Sequence, residues 1–301
     1  MSPNKRTGRK RDYVGVLSSV FAIVIGLLVG FVILLICNPS QALPGFVTIL
    51  TGAFTHGLKG VGQVFYYATP IILTGLSVGF AFKTGLFNIG TPGQFIVGAF
   101  AAVYVGIMWT GLGRIQWAVA LLAAILGGAL WGMVPGVLKA CFNVNEVIAS
   151  IMMNYIGMYM VNWIVKSYKP LFNNLRNESR NVEATAQIPK MGMDKLFPES
   201  SVGGGILLAV AAVLLIWVIL NKTTFGYELK AVGFNRDAGR YAGINEKRNI
   251  IMSMVIAGAI AGMAGGLLYL AGTGKHIEIK DVLAPEGFTG ISVALLGLSH
   301  P

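Results

Sequence analysis

The residues able to do chemistry in this chain are few, and their types narrow the reading at once. His56, His276 and His300 are scattered without metal-ligand spacing, and no Gly-x-x-x-x-Gly-Lys-Ser/Thr loop occurs. No catalytic group, metal site or bound cofactor is therefore expected. The remaining candidates are uncharged. Asn88 and Gln94 lie in a segment punctuated by Gly85, Gly90, Pro92 and Gly93, and Asn145 and Asn154 flank the start of a later apolar stretch. Carboxamides both donate and accept hydrogen bonds, which suits a small neutral polar solute. Phe87 and Phe288 add flat surfaces for stacking. These six residues are the candidate lining of a solute path, with helix packing or interfacial capping as the competing role for each. The charged candidates fall elsewhere. Asp237 near the start of a short helix, Arg240 and Tyr241 one turn on, and Gly243 as its stop describe either a docking element or a solvated loop.

The elements that must position these residues are membrane helices. Of 301 residues, 55% are hydrophobic, 12% are charged and 40 are glycine, against about 25% charged in a soluble chain. Val14–Cys37 runs 24 residues without a charge, roughly 36 Å of helix against a hydrocarbon core of about 30 Å. Spans are read at 14–37, 61–82, 94–112, 117–140, 148–165, 204–220 and 250–271. The fold class is all-α: a polytopic integral membrane protein with at least seven transmembrane helices. An eighth apolar stretch begins near Phe288 and is too short to cross, so it is expected to be a truncated span, with a re-entrant piece as the alternative.

The net charge of +11 is explained by topology rather than by nucleic acid. Residues 1–13 form a basic tail, with Lys5, Arg6, Arg9, Lys10 and Arg11 against Asp12, and such density beside a first span marks the cytoplasmic side. Binding of anionic lipid is the alternative use of that tail. Its apolar run is too long for a cleaved signal. Residues 14–301 then form one transmembrane domain. Segments 38–60 and 166–203 are expected outside and 221–249 in the cytoplasm. The cytoplasmic segments collect 13 of the 23 Lys and Arg. Cys37 and Cys141 fall on opposite sides and are expected as free thiols. Lys139 and Glu146 are read as a solvated interfacial pair.

Three segments break the pattern of apolar helix and polar loop, the short-helix stretch 221–249 being one of them. The stretch from Lys83 to Gln94 mixes helix breakers with Leu86 and Phe87, as a chain entering the membrane irregularly and leaving it as a helix would; an ordinary interfacial turn is the alternative. Ala284-Pro-Glu-Gly-Phe-Thr-Gly-Ile-Ser292 repeats this arrangement after a span of opposite direction, which is the mark of an inverted repeat. Gly258, Gly262 and Gly266 form a close-packing helix face.

These segments resemble the permease subunits of ATP-binding-cassette (ABC) importers, in the nucleoside and simple-sugar branch of the ribose and branched-chain amino-acid permease group. The resemblance rests on Gly85-Leu-Phe-Asn-Ile-Gly90 with Pro92-Gly-Gln94, and on Asn145-Glu-Val-Ile-Ala-Ser-Ile-Met-Met-Asn-Tyr155. It also rests on Phe225-Gly-Tyr-Glu-Leu-Lys-Ala-Val-Gly-Phe-Asn235 with Tyr241-Ala-Gly-Ile244, and on Gly287-Phe-Thr-Gly-Ile-Ser-Val-Ala-Leu-Leu-Gly297. Asp237-Ala-Gly-Arg-Tyr-Ala-Gly243 is similar to the importer coupling signature, with Asp for Glu and Gly for the second Ala, and Thr91-Pro92 replaces a small residue and Glu. The resemblance implies a type II, cobalamin-importer-like bundle in a bacterial plasma membrane, with its N-terminus cytoplasmic. It implies a second permease subunit as heterodimer partner, cytoplasmic ATPases that bind the ATP, and an external substrate-binding lipoprotein. Gly226, Tyr227, Gly233, Asn235, Asp237, Ala238, Arg240 and Gly243 would then couple to the ATPase, where Lys139 and Glu146 are also placed by the alternative reading. The implied cargo is a nucleoside, with ribose or simple sugars as the alternative, and family members continue beyond the equivalent of Pro301. An ion-driven carrier would use an intramembrane Asp, Glu or His, and the seven spans hold none.

Overall fold

Each uncharged run becomes a helix because a backbone in lipid must satisfy its own hydrogen bonds. In the computed structural model, which describes residues 6–297, twelve α-helices follow in order. They are α1 (Arg6–Cys37), α2 (Pro39–Thr55), α3 (Leu58–Lys83), α4 (Thr91–Met108), α5 (Gln116–Phe142), α6 (Glu146–Ser167), α7 (Met193–Leu196), α8 (Gly205–Lys222), α9 (Thr224–Phe234), α10 (Arg236–Tyr241), α11 (Glu246–Tyr269) and α12 (Pro285–Leu296). Seven of them (α1, α3, α4, α5, α6, α8 and α11) are long and apolar enough to cross a membrane. The start of the basic tail and the tip of the eighth apolar stretch, residues 1–5 and 298–301, lie outside the described residues.

One expectation needs correction, and two segments carry helix that the sequence does not mark. Segment 38–60, expected only to lie outside, contains α2, because Pro39 takes the first helical position, where a missing N–H costs nothing. This helix folds back on α1, with the Phe31 and Phe46 rings 4.8 Å apart. The basic tail, 1–13, is helical from Arg6, since its Arg and Lys residues are good helix formers. Lys139 and Glu146 are not a solvated pair: they form a 2.8 Å ion pair with side chains only 14% and 16% exposed, where the α5–α6 corner folds over them.

The bundle is centred on α4, α5 and α11, where glycines let backbones touch. Gly98 faces Gly262, Gly128 faces Gly258 and Gly262, and Gly265 faces Phe95. A Cβ on Gly128 would fall 2.6 Å from Gly262 Cα, so any side chain there forces helices apart. In lipid such close approach supplies association that the hydrophobic effect cannot.

Segment 166–203 is a folded cap rather than a slack loop. Its ribbon pairs Phe172–Asn173 with Glu178–Ser179, and Glu178 bridges to Glu278 beyond α11. Glu183 N–H donates to Gly106 O at 3.1 Å, and Ile188 N–H to Leu270 O at 2.8 Å. Lys59 at the start of α3 meets Glu199 at 3.3 Å. The cap thus covers the start of α3 and the ends of α4 and α11. The opposite face carries the α5–α6 corner, α9 and α10.

Candidate functional site

Between α3 and α4 the chain turns back into the bundle. Thr84 to Gly90 is non-helical, and α4 begins well inside. Its first turn is fixed at three depths. Asn88 Nδ2 donates to Ser77 Oγ at 3.3 Å, Gly93 N–H donates to Asn154 Oδ1 at 2.8 Å, and Gln94 Nε2 lies 3.3 Å from the Cβ position of Gly132. Ser77 is six residues from the end of α3, Asn154 eight from the start of α6, and Gly132 ten from the end of α5. At 1.5 Å per residue, α4 therefore starts about 9–15 Å inside the bundle.

Asn88, Gln94 and Asn154 are buried, at 0–1% exposure, and they bond chain atoms rather than open space. Asn88 and Gln94 exchange two hydrogen bonds, Asn88 Nδ2 to Gln94 Oε1 at 2.8 Å and Gln94 Nε2 to Asn88 Oδ1 at 3.1 Å. Asn88 Oδ1 also accepts from Gly90 N–H at 3.1 Å, and Asn154 Nδ2 donates to Ile89 O at 3.0 Å. Ser77 Oγ passes the network on to Ala257 O of α11 at 2.7 Å. These side chains supply the partners that an irregular backbone lacks at membrane depth. Asn145 takes the capping role, its Oδ1 accepting from Val147 and Ile148 N–H at the start of α6. Phe87 stacks on Phe82 with centroids 4.8 Å apart. Phe288 stays half-exposed on α12, on the face away from Gly287 and Gly290.

The second breaker segment meets the first. The first turn of α12 is held by Thr74 Oγ1 donating to Glu286 O at 3.0 Å, one turn of α3 from Ser77. Gly287 packs on Pro92 so closely that a Cβ would lie 2.6 Å from Pro92 Cα. Two helix N-termini therefore abut inside the bundle. Both open with proline, which removes a donor that would otherwise be orphaned there. Lys275 pairs with Glu286 at 3.0 Å and reaches over the Tyr269 ring at 5.8 Å. Sequence reading missed Ser77, Thr74, Lys275 and Glu286. The available signal was a hydroxyl at i and i+3 on an otherwise apolar helix.

On the opposite face from the cap, α9 and α10 form the short-helix unit expected between α8 and α11. Thr223 caps α9 by accepting from Gly226 N–H, and Asn235 caps α10 by accepting from Ala238 N–H, at 3.0 and 3.1 Å. Gly226 is buried at the α8 corner, where a Cβ would lie 2.7 Å from Leu220 Cα. Asp237 opens α10 and Arg240 closes it, matching the helix dipole. Gly243 adopts φ +79 and ends α10, with its N–H on Arg240 O and Ile244 N–H on Gly239 O, both at 3.0 Å. Asp237, Arg240 and Tyr241 border an open notch, and Ala238 is exposed beside them. Phe234 and Tyr241 stand 96% and 95% exposed, and Tyr227 is exposed near them. Three aromatic side chains thus stand bare on the same short-helix unit. Gly233 packs against Gly85 at the start of the re-entrant segment.

Residues 60–301 match the family described as branched-chain amino acid transport system / permease component. The guanosine ABC transporter permease protein NupP of Bacillus subtilis (strain 168) is 41% identical over 278 residues, covering 92% of this chain and 78% of that protein. The nucleoside ABC transporter permease protein NupB of Lactococcus lactis subsp. cremoris (strain MG1363) is 35% identical over 294 residues, 95% of this chain and 79% of that protein. A second B. subtilis protein, the guanosine ABC transporter permease protein NupQ, is 28% identical over 243 residues, 78% of this chain and 74% of that protein. No solved structure matches this chain. With its re-entrant helix start, its exposed short-helix knob and a match running from residue 60 to 301, the chain belongs to the branched-chain amino acid transport system permease family.

Proposed function

We propose that this chain is the membrane-spanning subunit of an ABC importer that carries nucleosides into the cytoplasm by alternating access. The observation that carries the reading is the meeting of the α4 and α12 N-termini inside the bundle, beside an exposed α9–α10 knob. Interrupted helices of opposite direction are where transporters place their solute sites, and we read α3–α4 and α11–α12 as the two halves of an inverted repeat of the type II kind. Within it, Phe87 and the backbone of the re-entrant segments face the path, while Phe288 stands on the other face of α12. Asn88, Gln94, Asn145 and Asn154 act as its frame, which departs from the direct solute contact expected of them.

The nucleoside cargo is supported by the relatives, which are named as guanosine and nucleoside permeases. Their occurrence in pairs, NupP with NupQ in one organism, supports a second permease subunit as partner. ATP binds and is hydrolysed in separate cytoplasmic subunits that grip Tyr227, Phe234, Asp237, Arg240 and Tyr241, and an external binding protein delivers solute onto the cap. In this arrangement the N-terminus is cytoplasmic. The test is uptake of radiolabelled guanosine, uridine and ribose by cells carrying the complete transporter. Uptake is expected to need this chain, and Tyr241→Arg is expected to lower it at least about tenfold, since hot-spot aromatics contribute about 2 kcal/mol or more to docking. Uptake that persists without the ATPase subunit would replace the importer reading with an ion-driven carrier.

A further inference from the structure

We infer that the backbone contact between Gly85 and Gly233 is the joint that carries motion of the α9–α10 unit into the re-entrant segment, and so to the point where α4 meets α12. The inference rests on the importer reading above and adds to it the pair of residues through which docking reaches the path.

The contact has no side chain in it. A Cβ on Gly85 would lie 2.6 Å from Gly233 Cα and 2.7 Å from its carbonyl oxygen, and a Cβ on Gly233 would lie 2.6 Å from the Thr84 carbonyl carbon. Gly85 also holds φ +74, a conformation that L side chains rarely adopt. Two backbones in direct contact transmit a push without loss, whereas a contact between side chains can absorb it by changing rotamer. An apolar clasp keeps the two from separating. Leu86 of the re-entrant segment packs with Val232 of α9 and with Ile250 and Met254 of α11, and Ile244 closes the cluster. Thr84 and Ser253 are hydrogen-bonded through their hydroxyls.

On the docking side, α10 is fixed to α9. Gly239 lies over Val232, with the Cβ position 3.3 Å from Val232 Cγ2, so pressure on Tyr241 reaches Gly233 one residue later. On the path side, five residues separate Gly85 from α4, and Pro92 in the first turn of α4 touches Gly287. The alternative carrier, α11, is held along Gly258, Gly262 and Gly265 by backbone contacts to α4 and α5, and sliding would break all of them. The non-helical stretch 84–90 is tied to α3, α4 and α6 by side-chain hydrogen bonds of Asn88 and Asn154 rather than by a row of backbone contacts, and a shift of about 1–2 Å there is the scale on which packed elements switch.

The test uses the complete transporter in proteoliposomes, with Cys37→Ser and Cys141→Ser and a reporter thiol at Ile89→Cys. Two quantities are read: solute imported per ATP hydrolysed, and the change in maleimide labelling of the reporter when ATP and vanadate are added. With the joint intact, ATP is expected to change labelling several-fold. Gly233→Ala, which inserts a methyl into the contact, is expected to flatten that change and lower import per ATP by about tenfold. Leu86→Ala removes atoms from the clasp and is expected to act in the same direction, and it decides the matter where Gly233→Ala fails to assemble. A purely structural role would lower complex, hydrolysis and uptake together and leave both readouts at native values; that result overturns the joint. Absence of any ATP-driven import with the joint intact would instead overturn the importer reading itself.

Discussion

At the residue scale, the chain solves one problem repeatedly: how to keep irregular backbone inside a membrane. Asn154 answers it twice, accepting from Gly93 N–H and donating to Ile89 O. Asn154→Leu would orphan both groups at once. Single interhelical hydrogen bonds in lipid average only about 0.6 kcal/mol, but two unsatisfied buried backbone groups cost about 1–3 kcal/mol each. The expected outcome is a thermal midpoint lowered by several degrees in detergent-purified protein. Ser150, one turn earlier on the same helix, is the control: its buried hydroxyl finds no partner among the described residues. Ser150→Ala removes an unpartnered buried hydroxyl and is expected to leave stability unchanged or raise it. Equal effects at the two sites would contradict the framing role of Asn154. The sequence marks Asn88, Gln94 and Asn154 as polar outliers in apolar surroundings, but it does not pair them. Their partners, Ser77 and the Ile89 and Gly93 backbone, come from α3 and from a loop whose depth only the folded bundle sets.

At the element scale, glycine spacing decides which helices are fixed and which are free. Gly128 sits against the Gly258 carbonyl and 2.6 Å, at its Cβ position, from Gly262 Cα, whereas Gly26 and Gly30 in α1 have nothing within 4 Å. Gly128→Ala is expected to lower the yield of folded protein sharply on fluorescence-detected gel filtration. Gly26→Ala and Gly30→Ala are expected to leave it unchanged or raise it slightly, as helix propensity favours Ala by about 1 kcal/mol. A tolerated Gly128→Ala would mean that α5 and α11 can separate, which the packing excludes. The seven long spans were legible because length and charge exclusion alone define them. α2 was not, because its 17 residues carry two prolines, Pro39 and Pro44, and are too short to stand out as a span, while in the fold Pro39 opens the helix. The re-entrant start of α4 was legible from Gly85, Gly90 and Pro92, yet its abutment on α12 was not, since nothing local ties Pro92 to Gly287.

At the whole-molecule scale, the connections sort into two faces without reference to any membrane. The cap 166–203 joins Lys59, Gly106 and Leu270 through Glu199, Glu183 and Ile188, so the starts of α3 and ends of α4 and α11 share one face. Gly85, the Lys139–Glu146 pair and the α9–α10 knob share the other. Helices α3, α4, α5, α6, α8 and α11 alternate between these faces, and packing therefore fixes the topology of that part of the chain up to a single inversion. On the proposed topology the charge pattern chooses between the two orientations, because Lys and Arg beside the first span would hold that end in the cytoplasm. An importer needs the knob on the ATP side, so orientation and function stand or fall together. Leu175 in the cap and Tyr241 in the knob are each 95% exposed, and both suit labelling without disturbing packing. With Cys37 and Cys141, both exposed thiols, replaced by serine, Leu175→Cys is expected to react with a membrane-impermeant maleimide on intact cells. Tyr241→Cys is expected to react only after the membrane is opened. The reverse pattern would put the docking knob outside, where no ATPase could grip it, and the charge asymmetry of the tail would then have been the misleading signal.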